Sequence, residues 1–392
     1  LNSNGSYAYP PQIQTTHYAN EDNKVYHKVK EIYENTKFKS EMTKDTLKMA
    51  KFMRGYSWGI EYEVVNGNIP SPMLGLLGLV PLIDGSISRD NYEQTTIPLS
   101  KAKGLHSVKL QCQHLTGLSE LNTKCALHIH IGGIKNDKLT FLALYALGCR
   151  IQDEVYATFP YYKQHEVAVL GKKKEYSRHL PNLGIHRNTI FRQKDKQSFE
   201  EEVKKWHKTV FEHFACSKEG REFNRGNHNN ARTPWGHKWN CPTRYYWMNF
   251  INMLFSHTGT IEFRIHEPTT NFQKVSAFLV LCTSIAKYAE ANIEKILRYE
   301  DKISLDDILY EIRFDFGKHN NEHPYLTQVS EFMLGYTRFR EDLFRNQLDK
   351  ANQDSISNRA DAYAYLKKYT KEFIGADKRF KYKGDEVLEY LY

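Results

Sequence analysis

The chain has 392 residues, 40% of them hydrophobic, enough for one large catalytic domain with additions or for two domains around a sizeable core. Charged residues make up 26% with no long block of one sign, which excludes an intrinsically disordered chain. The net charge of +9 is spread along a sequence that also carries 46 acidic residues, so without a recognition motif it is only weak support for a nucleic-acid partner, which is neither expected nor excluded.

Residues 1–22 are polar, contain Pro10-Pro11 and lack periodicity, so they read as an extended arm. From 23 to 54, Val29, Ile32, Tyr33, Leu47 and Phe52 recur at helical spacing and predict a helical lead-in. Trp58–Val65 alternates in the period-two manner of a strand. The apolar run Met73–Ile83 is about eleven residues, broken by Gly and Pro, and falls short of the ~20 residues that a membrane span requires. Asp84-Gly85-Ser86 reads as a turn. Leu105, Val108, Cys112 and Leu115 predict a helix, Ala126–Gly132 a second strand, and 140–160 a further helix. Residues 161–245 are rich in Lys, Arg, His and Asn and read as a loop-rich basic insertion. Thr260–His266 is a third strand, followed by a helix carrying Val275, Phe278, Leu279, Cys282 and Ile285. Residues 301–392 read as a charged, helical C-terminal region. The whole is an α+β pattern.

The chemistry gathers on the three strands. Alternation puts Ile60, Tyr62 and Val64 on one face of the first and Glu61 and Glu63 on the other. In the second, His128 and His130 share the face opposite Leu127, Ile129 and Ile131. In the third, Glu262, Arg264 and His266 lie opposite Ile261, Phe263 and Ile265. Alternation of this kind commonly marks the solvent face of an antiparallel sheet. Three strands bearing Glu-x-Glu, His-x-His and Glu-x-Arg instead describe a metal site. Carboxylates without thiolates suit a hard cation, Mg²⁺ or Mn²⁺, that bridges phosphates, and Arg264 suits the phosphate oxygens. No G-x-x-x-x-G-K-[ST] loop is present to cradle phosphates by backbone. His106, His114, His257 and the terminal His266 lack spacing partners and read as satisfied or exposed histidines. Arg187 and Arg192 could contact a nucleotide, but nothing in the spacing requires it.

In order, Gly59-Ile60-Glu61-Tyr62-Glu63, Asp84-Gly85-Ser86 with Glu93, Asn122 through Cys125-Ala126-Leu127-His128-Ile129-His130, Arg244-Tyr245 with Asn249, and Gly259-Thr260-Ile261-Glu262-Phe263-Arg264 resemble the amidoligase family. Those proteins are relatives of glutamine synthetase and glutamate-cysteine ligase. The likeness spans about 55–290, within a catalytic domain set at 55–300. It implies a curved antiparallel sheet that binds ATP and Mg²⁺ or Mn²⁺ and joins a small-molecule or peptide carboxylate to an amine through an acyl phosphate. Carried over, Glu61, Glu63, Glu93, His128 and Glu262 are metal ligands, with Glu63 and His128 also engaged in the chemistry. His130 is a second ligand or a phosphate contact, Arg244 a phosphate or substrate contact, and Arg264 stabilises the transferring phosphoryl group. Ala126 stands where Gly is usual. Two other readings compete: a degenerate ligase domain kept as a binding module, and a divalent-metal hydrolase.

Cysteines at 112, 125, 149, 216, 241 and 282 form no C-x-x-C pair, which points to a reducing, cytoplasmic setting. A bias to Asn, Lys and Tyr suggests a bacterium or a bacterial virus. A homo-oligomer is left open.

Overall fold

The alternating segments are strands of one sheet. The computed structural model describes residues 20–37, 44–65, 71–83, 91–119, 121, 125–157, 159, 177–184, 190–214, 245–255, 259–298, 302–305, 307–308 and 311. Within them lie β1 (Ser57–Val65), β2 (Leu79–Ile83), β3 (Asn91–Thr96), β4 (Leu127–Gly132), β5 (Met248–Asn249) and β6 (Ile261–His266). They form an open six-stranded sheet in the order β2-β3-β1-β4-β6-β5, every neighbouring pair antiparallel. The strands with the chemistry, β1, β4 and β6, are adjacent at its centre. Register places Glu61 opposite Thr95 on one side and His128 on the other, His130 opposite Glu262, and Glu262 opposite Asn249. Pairing extends past the end of β4, where the Glu63 amide donates to the Ala126 carbonyl at 3.1 Å. Alanine at that position is therefore accommodated.

The apolar run Met73–Ile83 splits at Gly78, whose φ of +67° suits glycine. Before it runs a helix and after it β2, an edge strand, which is where Pro81 can sit without breaking a ladder. The helices are α1 (Asn20–Asn35), α2 (Lys44–Phe52), α3 (Ser71–Leu77), α4 (Lys101–Leu118), α5 (Lys138–Ala157), α6 (Lys196–Phe214), α7 (Ile251–Phe255), α8 (Phe272–Ala291) and α9 (Ile293–Arg298).

Helices cover the apolar face of the sheet. Ile60, Tyr62, Val64, Leu127, Ile129, Ile131, Ile261, Phe263 and Ile265 are all buried there. Each such side chain contributes roughly 1.5–3 kcal/mol on removal from water. The Tyr62 hydroxyl donates to Gln111 Oε1 on α4 at 3.2 Å, and α8 packs across β4. A second layer follows, with α5 against α8, α6 and α9. Within 161–245, read as loop-rich from sequence, the structure holds the 19-residue α6, which buries Val203, His207, Val210 and Phe214.

Residues 1–19 of the predicted arm, Asp84-Gly85-Ser86, Asn122, Arg187, Arg244, His257 and nearly all of 301–392 lie outside the described residues. Among the described residues, no helix is long and apolar enough to cross a membrane.

Candidate metal centre

The second face of the sheet is polar, yet it is not a solvent face. Side-chain exposure is 4% for His128, 5% for Glu262, 9% for Glu63, 14% for Arg264, 15% for His130 and 20% for Glu61. Polar groups brought this far out of water must be paired or bound. The ordinary explanation of alternating strands, one dry face and one wet face, is thereby overturned.

Glu61 is the hub. Its Oε2 lies 3.0 Å from His128 Nδ1 and its Oε1 2.8 Å from His130 Nε2, so one carboxylate holds both imidazoles of β4. His128 Nδ1 is also 3.5 Å from Glu262 Oε1, and its Nε2 is 3.8 Å from Glu63 Oε1. Arg264 donates through Nη1 to Glu262 Oε1, while Asn249 Nδ2 donates to Glu262 Oε2 at 2.7 Å. The Arg264 Nε is buried and has no hydrogen-bond partner among the described residues, and its guanidinium carbon stands 6.0 Å from the Tyr245 ring centre.

The charges set one another. Burial pushes the Glu61 carboxyl up, but the charges and hydrogen bonds of His130 and His128 outweigh it and hold the group well below the usual carboxylate range. Burial alone depresses His130, whereas Glu61 and Glu262 raise it against a smaller opposing effect of Arg264, leaving it above its ordinary value. Glu262, raised by burial and by Glu61, is brought down on balance by Arg264 and the two histidines. For Arg264, burial is outweighed by Glu262, Glu61 and Glu63, and its pKa rises.

Counted without the imidazoles, three carboxylates against one guanidinium leave a net charge of −2, which burial makes costly and which the raised His130 offsets only in part. A divalent cation would neutralise it. One ligand atom each from Glu61, His128 and Glu262 lies within 4.8 Å of the others. Ligand atoms around a small divalent cation stand about 3.0 Å apart when adjacent and about 4.2 Å when opposite, a range that the His128–Glu61 and His128–Glu262 separations of 3.0 and 3.5 Å fall within. A cation there would take the place of a proton between His128 Nδ1 and Glu61. The tautomer protonated at Nε2, toward Glu63, is the one that leaves Nδ1 free to bind. Two carboxylates and one imidazole form a donor set suited to a divalent cation.

Of the residues expected from sequence, the structure brings together Glu61, Glu63, His128, His130, Glu262 and Arg264. Glu93 pairs in register with Glu63 and accepts from the Thr95 hydroxyl at 2.9 Å, and it is not one of the trio. His266 is a core histidine, with Nδ1 2.6 Å from the Glu267 carbonyl and its ring against Phe159 and Phe278. Cys125 is fully buried. Asn249, present in the sequence only as part of a family resemblance, reaches the Glu262 carboxylate of the trio directly. Comparison with family models and with curated proteins finds no match in either, so the functional reading rests on the geometry of the site.

Proposed function

We propose that this chain is an ATP-dependent carboxylate–amine ligase, built on a glutamine-synthetase-like curved sheet and working with Mg²⁺ or Mn²⁺. The observation that carries the reading is a buried trio, Glu61, His128 and Glu262, beside a guanidinium with an unused donor. A cation alone would need only the trio. Arg264, held next to it with Nε unpartnered, adds a forked donor suited to a phosphoryl oxygen, and phosphoryl transfer asks mainly for positioning and charge neutralisation.

In this reading a carboxylate oxygen of the substrate attacks the γ-phosphorus of ATP, ADP leaves, and an acyl phosphate results. An amine nitrogen then attacks the acyl carbon, inorganic phosphate departs with the bonding pair, and the nitrogen gives up a proton to form the amide. The bound metal supplies neutralisation of phosphate charge. Glu61 keeps the two imidazoles oriented, Arg264 would meet the transferred phosphoryl, His130 would be a second contact to it, and Glu63, outside the trio, is a carboxylate able to accept the amine proton. The carboxylate and the amine are small molecules or peptides.

The test is ATP binding by titration calorimetry with and without Mg²⁺, in the parent and in Glu61→Ala. Metal-dependent binding that the variant loses, followed by ADP release that requires both a carboxylate and an amine, supports the ligase. Metal binding without any nucleotide binding would replace it with a hydrolase that activates water at the trio.

A further inference from the structure

We infer that Asn249 is a positioning residue for the metal centre: its side-chain amide fixes the orientation of the Glu262 carboxylate and so presets the cation-binding oxygen. The inference rests on the metal reading above and goes beyond it.

Asn249 is buried, at 6% exposure, on the two-residue edge strand β5, directly opposite Glu262 of β6. Both ends of its amide are committed. The Ile251 backbone amide donates to Asn249 Oδ1 at 3.0 Å, a local turn that starts α7, and Asn249 Nδ2 donates to Glu262 Oε2 at 2.7 Å. Because Oδ1 is taken by a backbone N–H that can only donate, the amide cannot flip, and its NH₂ must face the carboxylate. The residues around it lock the strand in place, since Trp247, Met248 and Phe250 are fully buried.

The consequence falls on Glu262. With Oε2 held by Asn249, Oε1 is turned toward Arg264 and toward His128 Nδ1, 3.5 Å away. A glutamate side chain otherwise loses considerable rotamer freedom on binding an ion; here that ordering is completed when the chain folds. Outer partners that hydrogen-bond a ligating carboxylate are worth about 10–100-fold in metal affinity. The position also carries a second task, the start of α7, and the experiment has to separate the two.

Asn249→Ser does so. A serine hydroxyl can still accept from the Ile251 amide but is too short to reach Glu262. Asn249→Ala loses both contacts. Mn²⁺ affinity of the full chain is measured by electron paramagnetic resonance, which also reports ligand symmetry, alongside metal-free melting temperature. The expected result is that Asn249→Ser melts close to the parent yet binds Mn²⁺ about 10–100-fold more weakly with an altered spectrum, while Asn249→Ala loses stability as well. Folded Asn249→Ser with parental Mn²⁺ affinity and spectrum overturns the inference and leaves Asn249 as a helix-starting residue. A folded parent that binds no Mn²⁺ overturns the metal reading itself, and the inference with it.

Discussion

Replacing Glu61 with Gln keeps the shape of the hub and removes its charge. In the metal-free protein the loss is a pair of charge-assisted hydrogen bonds to His128 and His130, set against relief from Glu262 nearby. The depressed Glu61 carboxyl says that attraction prevails, so the metal-free variant should be less stable by about 1–3 kcal/mol near pH 6. That contribution belongs to the ionised carboxylate paired with charged imidazole, so it shrinks as pH rises through the elevated pKa of His130. The larger effect is on the response to metal. At a free Mn²⁺ concentration 100 times the parental dissociation constant, binding stabilises the parent by about 2.7 kcal/mol. If losing a ligand costs roughly 100-fold in affinity, the variant gains only about 0.4 kcal/mol at the same concentration. At about 2–4 °C per kcal/mol, the parent's melting temperature should rise by roughly 5–10 °C and the variant's by about 1 °C. Scanning calorimetry against a chelated baseline reads both. An equal metal-induced rise in the two proteins would refute the assignment of Glu61 as a ligand.

Arg264→Lys should lose more in metal-dependent ADP binding, by at least about tenfold, than in binding Mn²⁺ alone, because lysine keeps the charge beside Glu262 but cannot present the planar fork; calorimetry with Mn²⁺ alone and with ADP checks it. His207, packed between Phe141 and Phe211, is pushed down to about 4, chiefly by burial and then by Lys138. The unfolded chain therefore binds the extra proton between about pH 6.5 and 4, and stability falls on acidification through that window by at most about 3 kcal/mol. His207→Phe should flatten that part of the pH profile in urea melts, and an unchanged slope relative to the parent would dismiss His207 as the source. At Gly133, φ is +84° and an added Cβ would meet the Gly55 carbonyl oxygen at 2.4 Å, so Gly133→Ala should cost about 2–4 kcal/mol. At Gly59 the nearest atom to such a Cβ is 3.7 Å away, and Gly59→Ala should fold at least as well as the parent in the same melts.

Period-two alternation made β1, β4 and β6 legible, because each has a clean apolar face packed on helices. It failed for β3, whose Asn-Tyr-Glu-Gln-Thr-Thr offers too few apolar residues to alternate, and for β5, which exists only through its pairing with β6. The strand β2 was hidden in an apolar run whose division at Gly78 depends on a backbone angle. Helix α6 was within reach: Phe199, Val203, Val210 and Phe214 recur at helical spacing, but the surrounding Lys and Glu drew attention to charge. The site followed the same rule. Phase along a strand revealed which side chains share a face, whereas the link from Asn249 to Glu262 and the sealing of the polar face come from pairing and packing that local periodicity does not encode.

The order of strands at the centre of the sheet has a temporal meaning. Glu61 and His128 are 67 positions apart along the chain, and Glu262 follows about 130 positions later, so the trio is assembled from the most distant parts of the sheet-forming region. Contacts this remote in sequence are made late in folding. A chain emerging from the ribosome has β1 and β4 long before β6, and until β6 docks it lacks Glu262 together with the arginine beside it. A cation at the trio would therefore be held only once β6 has docked, and a truncation before residue 261 would leave His128 and His130 on an open edge strand, with Glu61 and Glu63 one strand further in.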